Sequence, residues 1–357
     1  MTFIISKRGY ASKNVYGGSS TIACGVLLSF FGIFNLFYQI LPYPFNGFMV
    51  WWVGIVFSIY MLFAFLIKKT IKKIELERKE NPDMETSNLS PFKKYILFIR
   101  KENPYKEKIS IKMELVRKSF HSTALLVLLA YYGFFFIPPL TQIVSDGLII
   151  YINQFEAIYT PLWGDISLYP YDWGDVRAVI DLTMFALIAA LYFMILSDLI
   201  RILWGPEYSI FNLLTKSILR NKEYNAIGPQ IYLICGIILS YLFYMIGFIP
   251  ASVALAAITI SCLSDALAAL IGRRYGKHKV TCIGGDKKTI EGFIAGSGSA
   301  FIFALFFVNP FYALIIAIIF FILDYFPLII ADNVLNPIMI SVFVGIISLL
   351  VPIPIGY

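Results

Sequence analysis

The sequence predicts an all-α, polytopic membrane protein with about nine transmembrane helices and a cytoplasmic N-terminus. Composition is the first reason: 59% of the 357 residues are hydrophobic and 14% are charged, whereas soluble domains contain about 45–50% apolar and about 25% charged residues. The second reason is a series of apolar segments of membrane-spanning length. The third is the uneven distribution of Lys and Arg among the loops. A soluble core cannot bury this much apolar surface, so lipid must solvate much of the chain.

The predicted helices follow from apolar segments of about 20 residues, the length needed to cross a bilayer. Two long polar segments interrupt the series. Segment 68–120 is basic and predicts a helix from Lys68 to Glu80, whereas segment 142–178 is acidic and aromatic. The predicted spans are residues 19–41, 48–67, 121–141, 179–200, 229–247, 249–271, 292–309, 310–330 and 337–353.

The orientation follows from the positions of the basic residues. With the N-terminus inside, the cytoplasmic segments contain 28 of the 29 Lys and Arg residues, and Arg177 is the exception. So strong a bias obeys the positive-inside rule. The net charge of +7 therefore needs no nucleic-acid partner. The predicted cytoplasmic segments are 1–18, 68–120, 201–228, 272–291 and 331–336.

Four carboxylates remain within the apolar spans or at their ends. An ionised Asp near the membrane centre costs about 2.5–3.5 kcal/mol on insertion scales, so such residues are functional candidates. All four fall at cytoplasmic helix ends in the predicted topology, which favours a polar cavity that opens to the cytoplasm. The alternative is that each carboxylate pairs with a nearby Lys or Arg as an anchor. The four residues are Asp198, Asp265, Asp324 and Asp332.

A basic segment directly precedes the third predicted span. Arg117 and His121 are four residues apart, and Lys118 and His121 are three apart, so all three share one helix face. The alternative is a basic stop at the membrane boundary, with Glu114 bridging to Lys118. His121 is one of two histidines in the chain, and histidine exchanges a proton near pH 7. This favours a functional role for the segment.

The segment Ser264–Gly292 contains the parts that a phosphate site requires. Asp265 ends an apolar helix, and the loop that follows carries six Lys or Arg residues and four glycines. The next helix starts with Lys287-Lys288-Thr289-Ile290-Glu291-Gly292. Basic side chains, backbone N–H groups at glycines and a helix N-terminus all bind phosphate, and a nearby carboxylate can hold Mg²⁺. The alternative is an ordinary basic cytoplasmic loop.

Two other patterns limit the interpretation. The chain contains no G-x-x-x-x-G-K-[ST] phosphate loop and no H-E-x-x-H zinc motif, so neither a Walker-type nucleotide site nor a zinc protease is indicated. Gly292-x-x-x-Gly296 predicts close packing of two helices.

At these residues the chain resembles the dolichol kinases and the CTP-dependent polyprenol, phytol and diacylglycerol kinases. Segment 264–292 resembles their CTP-binding segment, and it is also similar to part of the phosphatidate cytidylyltransferases. The resemblance covers about residues 112–350. Three further motifs favour the kinases: Arg117-Lys118-x-x-His121; Asp198-x-x-Arg201 followed by Arg220-x-x-Glu223 and Gly228; and Asp332-Asn333-x-x-x-Pro337.

The resemblance implies a transferase that moves the γ-phosphoryl group of CTP to a membrane isoprenoid alcohol of the dolichol or polyprenol type. It implies a seven-span catalytic domain at 112–357, with 142–178 as an external insertion. Residues 1–111 then form an extension of two spans and a basic loop. The active face is expected at the cytoplasm.

The resemblance also implies roles for individual residues. Asp265 is expected to hold Mg²⁺, assisted by Asp332 and Asp198. His121 or a carboxylate is expected to take the alcohol proton, and Glu291 to orient Lys287 or the metal. Catalytic Lys288 and the nucleotide-binding side chains complete the expected site: Arg117, Lys118, Arg201, Arg273, Lys287, Thr289 and Asn333.

Two other functions stay open. One is a CDP-lipid synthase, although the chain lacks the Lys-Asp and His-Gly-Gly-x-x-Asp-Arg signatures of the cytidylyltransferases. The other is an ion-coupled transporter, whose intramembrane acids would bind ions or protons. Against a transporter, the sequence shows no internal repeat, and its polar groups lie at one predicted face rather than at mid-membrane.

Overall fold

The computed structural model describes most of the chain and shows it to be almost entirely helical. The predicted all-α class is confirmed for this part, with one small β-hairpin added. The structure describes residues 2–38, 40–41, 45–80, 89–101, 111–122, 125–126, 146, 150, 153–162, 176–209, 225–282, 287–326 and 328–356.

Twelve helices are labelled here in chain order. They are α1 (Thr2–Ala11), α2 (Val15–Tyr38), α3 (Phe45–Glu80), α4 (Pro91–Lys101), α5 (Ile111–Ser122), α6 (Val176–Leu203), α7 (Pro229–Met245), α8 (Ala251–Thr259), α9 (Asp265–Tyr275), α10 (Ile290–Ala304), α11 (Pro310–Tyr325) and α12 (Asp332–Leu350). A π-helical turn, Ile260–Ser264, joins α8 to α9, and a 3₁₀ turn, Pro206–Tyr208, follows α6. Residues 153–162, inside the predicted external loop, are also helical.

Five of the described helices are long and apolar enough to cross a bilayer, so the chain is a multi-pass membrane protein. Helices α7, α10 and α11 are apolar but shorter, with 17, 15 and 16 residues. The predicted third span, 121–141, lies almost wholly outside the described residues, so the count of nine stays a prediction. The five are Val15–Tyr38, Phe45–Glu77, Leu182–Leu203, Ala251–Tyr275 and Asp332–Leu350.

Helix α3 continues well beyond its apolar part. It extends unbroken to Glu80, which confirms the predicted helix at 68–80. Helix α4 folds back on this polar end, where Lys93 Nζ donates to the Glu77 carboxylate at 2.6 Å. Ile71 and Ile96 are buried between the two helices.

Two larger hydrophobic clusters hold most of the remaining helices together. One joins α1, α2, α6, α7 and the start of α12, and the other joins α8, α10, α11 and the rest of α12. Helices α7 and α12 pack very closely, since a Cβ atom on Gly236 would lie 2.5 Å from the Pro337 ring. The hydroxyls of Ser240 and Ser341, 2.6 Å apart, satisfy each other inside this interface.

Helix α10 packs closely on α9 at the predicted small-residue motif. A Cβ atom on Gly292 would lie 3.0 Å from the carbonyl oxygen of Ala268, and one on Gly296 would lie 2.9 Å from the Ala268 methyl group. The expectation of close helix packing at Gly292-x-x-x-Gly296 is therefore confirmed. This contact fixes the start of α10 against α9, where the candidate site lies.

The N-terminal helices α1 and α2 form a hairpin that belongs to the first cluster. Its turn includes Lys13 in the left-handed region, with φ 61°, and the Asn14 side chain accepts from the backbone N–H of Gly17 at 2.9 Å. Arg8 reaches across to donate to the carbonyl of Ile202 at 2.9 Å. Helices α1 and α2 therefore pack directly on helices from beyond residue 111.

Candidate functional site

A polar pocket of about 350 Å³ lies where helices α2, α5, α9, α10, α11 and α12 meet the β-hairpin. Its walls carry five basic and four acidic side chains, a formal surplus of one positive charge. The basic residues are Arg117, Lys118, Arg273, Lys287 and Lys288, and the acidic residues are Glu114, Asp265, Asp324 and Asp332. The other lining residues are Tyr16, Ala268, Ala269, Gly272, Thr289, Gly292, Phe293 and Asn333.

Asp265 reaches the pocket directly after the π-helical turn Ile260–Ser264. A π-turn inserts an extra residue into a helix and shifts the face that the following residues present, and such turns are frequent at functional sites. Asp265 forms an ion pair with Lys118 of α5, which is 8% exposed. The expected meeting of Asp265 with the basic entry segment is therefore present in the structure.

A second ion pair joins the same two helices. Arg273 Nη2 lies 3.1 Å from the carboxylate of Glu114, whose side chain is 1% exposed. Glu114 and Lys118 are one helical turn apart on α5, and Asp265 and Arg273 follow in the opposite order on α9. The helices are therefore antiparallel here. Glu114 and Lys118, for which a bridge to each other was the alternative, each form an ion pair with a residue of α9.

The hairpin places two lysines in the pocket. Strands β1 (Lys279–Thr281) and β2 (Lys287–Thr289) are antiparallel, with Val280 opposite Lys288. Lys288 Nζ donates to the side chain of Asp324 at 2.5 Å and to its carbonyl at 2.7 Å. Burial acts to lower the pKa of Lys288, but the carboxylates of Asp324, Asp332 and Asp265 outweigh it and raise the pKa overall. Lys288 is therefore charged at neutral pH.

Thr289 ends the strand and begins helix α10. Its side chain accepts from the backbone N–H of Gly292 at 3.2 Å, as expected of a threonine N-cap. Its hydroxyl also lies 3.4 Å from the carbonyl of Gly272 at the end of α9. Lys287 and Lys288 are thus held directly before a helix N-terminus, whose partial positive charge adds to theirs.

The start of α12 supplies a third side to the pocket. Asp332 is half-buried there and, within the described part of the chain, has no ion-pair partner. Asn333 donates from Nδ2 to the carbonyl of Pro229 at 3.4 Å. Asp265, Asp324 and Asp332 therefore face one pocket from three different helices.

The pocket carboxylates can hold a metal ion only if a bound phosphate compound completes the coordination shell. Among the described residues no three His, Cys, Asp or Glu side chains lie close enough to hold an ion by themselves. Of the three expected metal ligands, Asp265 and Asp332 line the pocket and Asp198 does not. Mg²⁺ in nucleotide sites commonly takes one or two carboxylates and completes its shell with phosphate and water. Asp265 and Asp332, in one pocket with five basic groups, have the chemistry for that arrangement.

Asp198 and Arg201 lie outside the pocket lining, contrary to their expected roles at the metal and the nucleotide. They pair with each other at 3.0 Å, and their side chains are 5% and 1% exposed. Asp198 accepts from the backbone N–H of Gly228 at 2.5 Å, and Arg201 donates to the carbonyl of Ala226 at 2.6 Å. Both side chains therefore stabilise the backbone of Ala226–Gly228, directly before α7. Arg220 and Glu223 of the same motif lie outside the described residues.

Glu291 was expected to act in catalysis, but its side chain also lies outside the pocket lining. Its carboxylate lies 2.7 Å from Nδ1 of His278. Hydrogen bonds from the backbone N–H at the start of α10 and from His278 lower the pKa of Glu291 to about 2. Glu291 thus ties the hairpin to α10. The backbone of His121 lies in α5, but its side chain is outside the described residues.

The polar cavity expected around the intramembrane acids includes Asp324, but its ion pair and the presence of Tyr16 were not expected from the sequence. Asp324 was recognised as an intramembrane acid, but nothing in the local pattern indicated that it would hold Lys288. Tyr16 had no signal at all, because it lies in the N-terminal extension and reaches the pocket only through the fold.

Comparison of the chain with protein-family models, with curated proteins and with solved structures found no match. What the pocket can do must therefore be argued from its own residues. Five cations beside a capped helix N-terminus suit an anion with several charges, and Asp265 and Asp332 suit a divalent cation that accompanies it.

Proposed function

We propose that this protein is a CTP-dependent lipid kinase that phosphorylates a membrane isoprenoid alcohol. The observation that carries the proposal is the meeting of Lys118, Asp265 and the Lys287–Thr289 strand at one pocket. These elements lie up to about 170 residues apart in sequence, and they match the motifs through which the chain resembles the CTP-dependent lipid kinases. The preference for CTP and for an isoprenoid alcohol rests on that resemblance.

The proposal includes nine spans, a cytoplasmic N-terminus and a pocket on the cytoplasmic side. The Lys and Arg distribution supports this topology, as do the apolar helices of the described chain. The pocket residues come from the predicted cytoplasmic segments and from the helix ends beside them. A pocket there is open to soluble nucleotide, while the alcohol approaches through the membrane.

The paired charges of the pocket suggest how it receives a nucleotide. In the structure Lys118 pairs with Asp265 and Lys288 with Asp324, so the charges of the pocket largely neutralise one another. An incoming triphosphate offers the lysines a more highly charged partner, and its accompanying Mg²⁺ does the same for the carboxylates. Exchange of partners then replaces ion pairs within the protein by ion pairs with the ligand.

Transfer requires mainly positioning and charge neutralisation. The alcohol oxygen bonds to the γ-phosphorus, the bond from that phosphorus to the β,γ-bridging oxygen breaks, and CDP leaves. The alcohol proton passes to His121 or to a pocket carboxylate. Lys118, Lys287 and Lys288 neutralise the phosphate oxygens throughout. Bound Mg²⁺, held by Asp265 and Asp332, would supply further neutralisation of the leaving diphosphate.

The test is transfer of label from CTP to lipid by purified protein in nanodiscs that contain a polyprenol and also phosphatidate, the acceptor that a CDP-lipid synthase requires. With γ-labelled CTP we expect a labelled lipid monophosphate, and with α-labelled CTP no labelled lipid. Label from the α position would identify a CDP-lipid synthase instead. Absence of lipid labelling from either donor, across short and long polyprenols, would contradict both enzyme activities.

A matched pair of variants connects the activity to the pocket. Lys288→Ala removes a pocket lysine, whereas Lys279→Ala removes an exposed lysine from the other strand of the same hairpin. We expect the first substitution to impair transfer and the second to leave it near the wild-type level. Equal effects would place the phosphate site elsewhere.

A further inference from the structure

We infer that helix α3, where it leaves the bilayer, binds the headgroups of anionic phospholipids. The inference goes beyond the proposed kinase function and does not depend on it. It concerns a part of the chain outside the stretch that resembles the lipid kinases. Four exposed lysines carry it, and they are called here the basic face of α3: Lys68, Lys69, Lys72 and Lys73.

The basic face continues the side of α3 that is exposed to lipid tails. Leu62, Phe65 and Leu66, in the two turns before the lysines, are large apolar side chains exposed on the surface. Phe65 precedes Lys68 by three residues and Lys69 by four, and residues at these spacings share a helix face. A phospholipid whose tails pack against Phe65 therefore has its headgroup beside the lysines.

The other side of α3 is covered by protein. Ile67 and Ile71 are buried there, together with Ile96 of α4, and Tyr208 of the 3₁₀ turn after α6 packs against the same cluster. Helix α4 therefore covers the isoleucine side and leaves the lysines exposed. Within the described part of the chain, the basic face is turned toward lipid and water.

The charges of the basic face are not compensated along the helix. The first acidic residue of α3 is Glu75, which follows all four lysines, and Glu77 is held by Lys93 of α4. Among the described residues, none of the four lysines has an ion-pair partner. Lysines three or four residues apart on a helix repel one another. A bound anion would relieve this repulsion, and a row of anionic headgroups can do so for all four.

The four lysines lie close enough to the bilayer to respond to its surface charge. Lys73 follows Ile67, the last residue of the predicted span, by six residues, which is about 9 Å along the helix axis. Basic residues are attracted to anionic lipids within a Debye length of the surface, about 8–10 Å at ordinary ionic strength. A soluble acidic partner would meet the same charges, but the continuity with Phe65 and its neighbours favours lipid.

The test measures lipid binding by the full-length protein with native mass spectrometry from detergent. The protein is titrated with phosphatidylglycerol or with phosphatidylcholine of the same acyl chains, so that only the headgroup differs. Soluble polyglutamate is titrated as a third ligand. We expect wild type to bind phosphatidylglycerol at least about tenfold more tightly than phosphatidylcholine, because each basic residue near an anionic surface strengthens binding.

Two variants changed at the same four positions separate charge from packing. With all four lysines of the basic face replaced by Gln, the preference for phosphatidylglycerol should fall to within about twofold of none. With all four replaced by Arg, which keeps the charge, the preference should remain. The control for location is Lys277→Gln combined with Lys279→Gln, because both lysines are exposed beside or within β1. This double variant should keep the wild-type preference.

Four results would overturn the inference. If wild type shows no preference for phosphatidylglycerol, the protein does not select anionic lipid. If the Gln variant keeps the preference, the lipid binds elsewhere, for example at the basic pocket. If the Arg variant loses the preference as fully as the Gln variant, positive charge is not what binds. If the four lysines bind polyglutamate more tightly than phosphatidylglycerol, the basic face serves a soluble acidic partner.

Discussion

The carboxylates of the pocket and the carboxylate of Asp198 look alike in the sequence but occupy different environments. Asp265 and Asp324 pair with lysines from other elements at the wall of an open cavity. Asp198 pairs with Arg201 on its own helix and with the backbone of Gly228, in a region that excludes solvent. A buried acid is thus available for chemistry when its partner can be exchanged for a ligand. A buried acid has a structural role when its partners are fixed and shielded from solvent.

The largest expected effect on activity comes from Asp265→Asn. The amide keeps the shape of the side chain but loses the charge that binds metal, so we expect transfer to fall by at least about a hundredfold. Thermal unfolding of the detergent-solubilised protein serves as the control for folding. Because the change also leaves Lys118 without its partner, Asp332→Asn is the companion variant: it breaks no ion pair among the described residues and should also reduce transfer. Full activity in both variants would remove the metal assignment.

The largest expected effect on stability comes from Asp198→Ala. Removing one partner of a buried ion pair costs about 3–5 kcal/mol, and here the backbone N–H of Gly228 also loses its acceptor. We expect a marked fall in the unfolding temperature, with transfer per folded molecule largely retained. A variant that is as stable as wild type but inactive would show that Asp198 acts in the site after all.

An intermediate effect is expected from Lys288→Ala. Loss of a charged contact to phosphate should raise the KM for CTP about tenfold or more, with little change in the KM for the alcohol. Steady-state kinetics with each substrate varied in turn separates the two. A higher KM for the alcohol alone would place Lys288 at the acceptor.

The smallest expected effect comes from Glu291→Gln. Exposed ion pairs contribute little, so transfer should stay within about twofold of wild type. The folded-state pKa of Glu291, about 2, lies below its ordinary value of 4.5. The stability that this carboxylate adds is therefore present above about pH 4.5 and is lost as the pH falls toward 2. Comparing the unfolding temperatures of wild type and variant between pH 7 and pH 3 checks this, and a large loss of activity at pH 7 would restore the catalytic assignment.

Local patterns in the sequence predicted much of the fold. Apolar runs predicted most of the helices. The helix expected to open with Lys287-Lys288-Thr289 begins instead at Ile290, because those three residues form strand β2. The pairing of Lys118 with Asp265 and of Lys288 with Asp324 could not be read from spacing, because each pair joins elements distant in sequence. Glu291 and Arg201 carry the residue types of a site, yet their side chains bond to His278 and to the turn before α7. No sequence pattern indicated Tyr16, because only the packing of the α1–α2 hairpin on the other helices brings it to the pocket.

Binding of a nucleoside triphosphate in this pocket can be measured through protection of the pocket lysines from an amine-reactive reagent. Modification of each lysine is quantified by peptide mass spectrometry with and without Mg²⁺ and CTP. We expect strong protection of Lys287 and Lys288 and unchanged labelling of exposed Lys279 in the same β-hairpin. Unchanged labelling of all three, or equal protection of Lys279, would contradict nucleotide binding in this pocket.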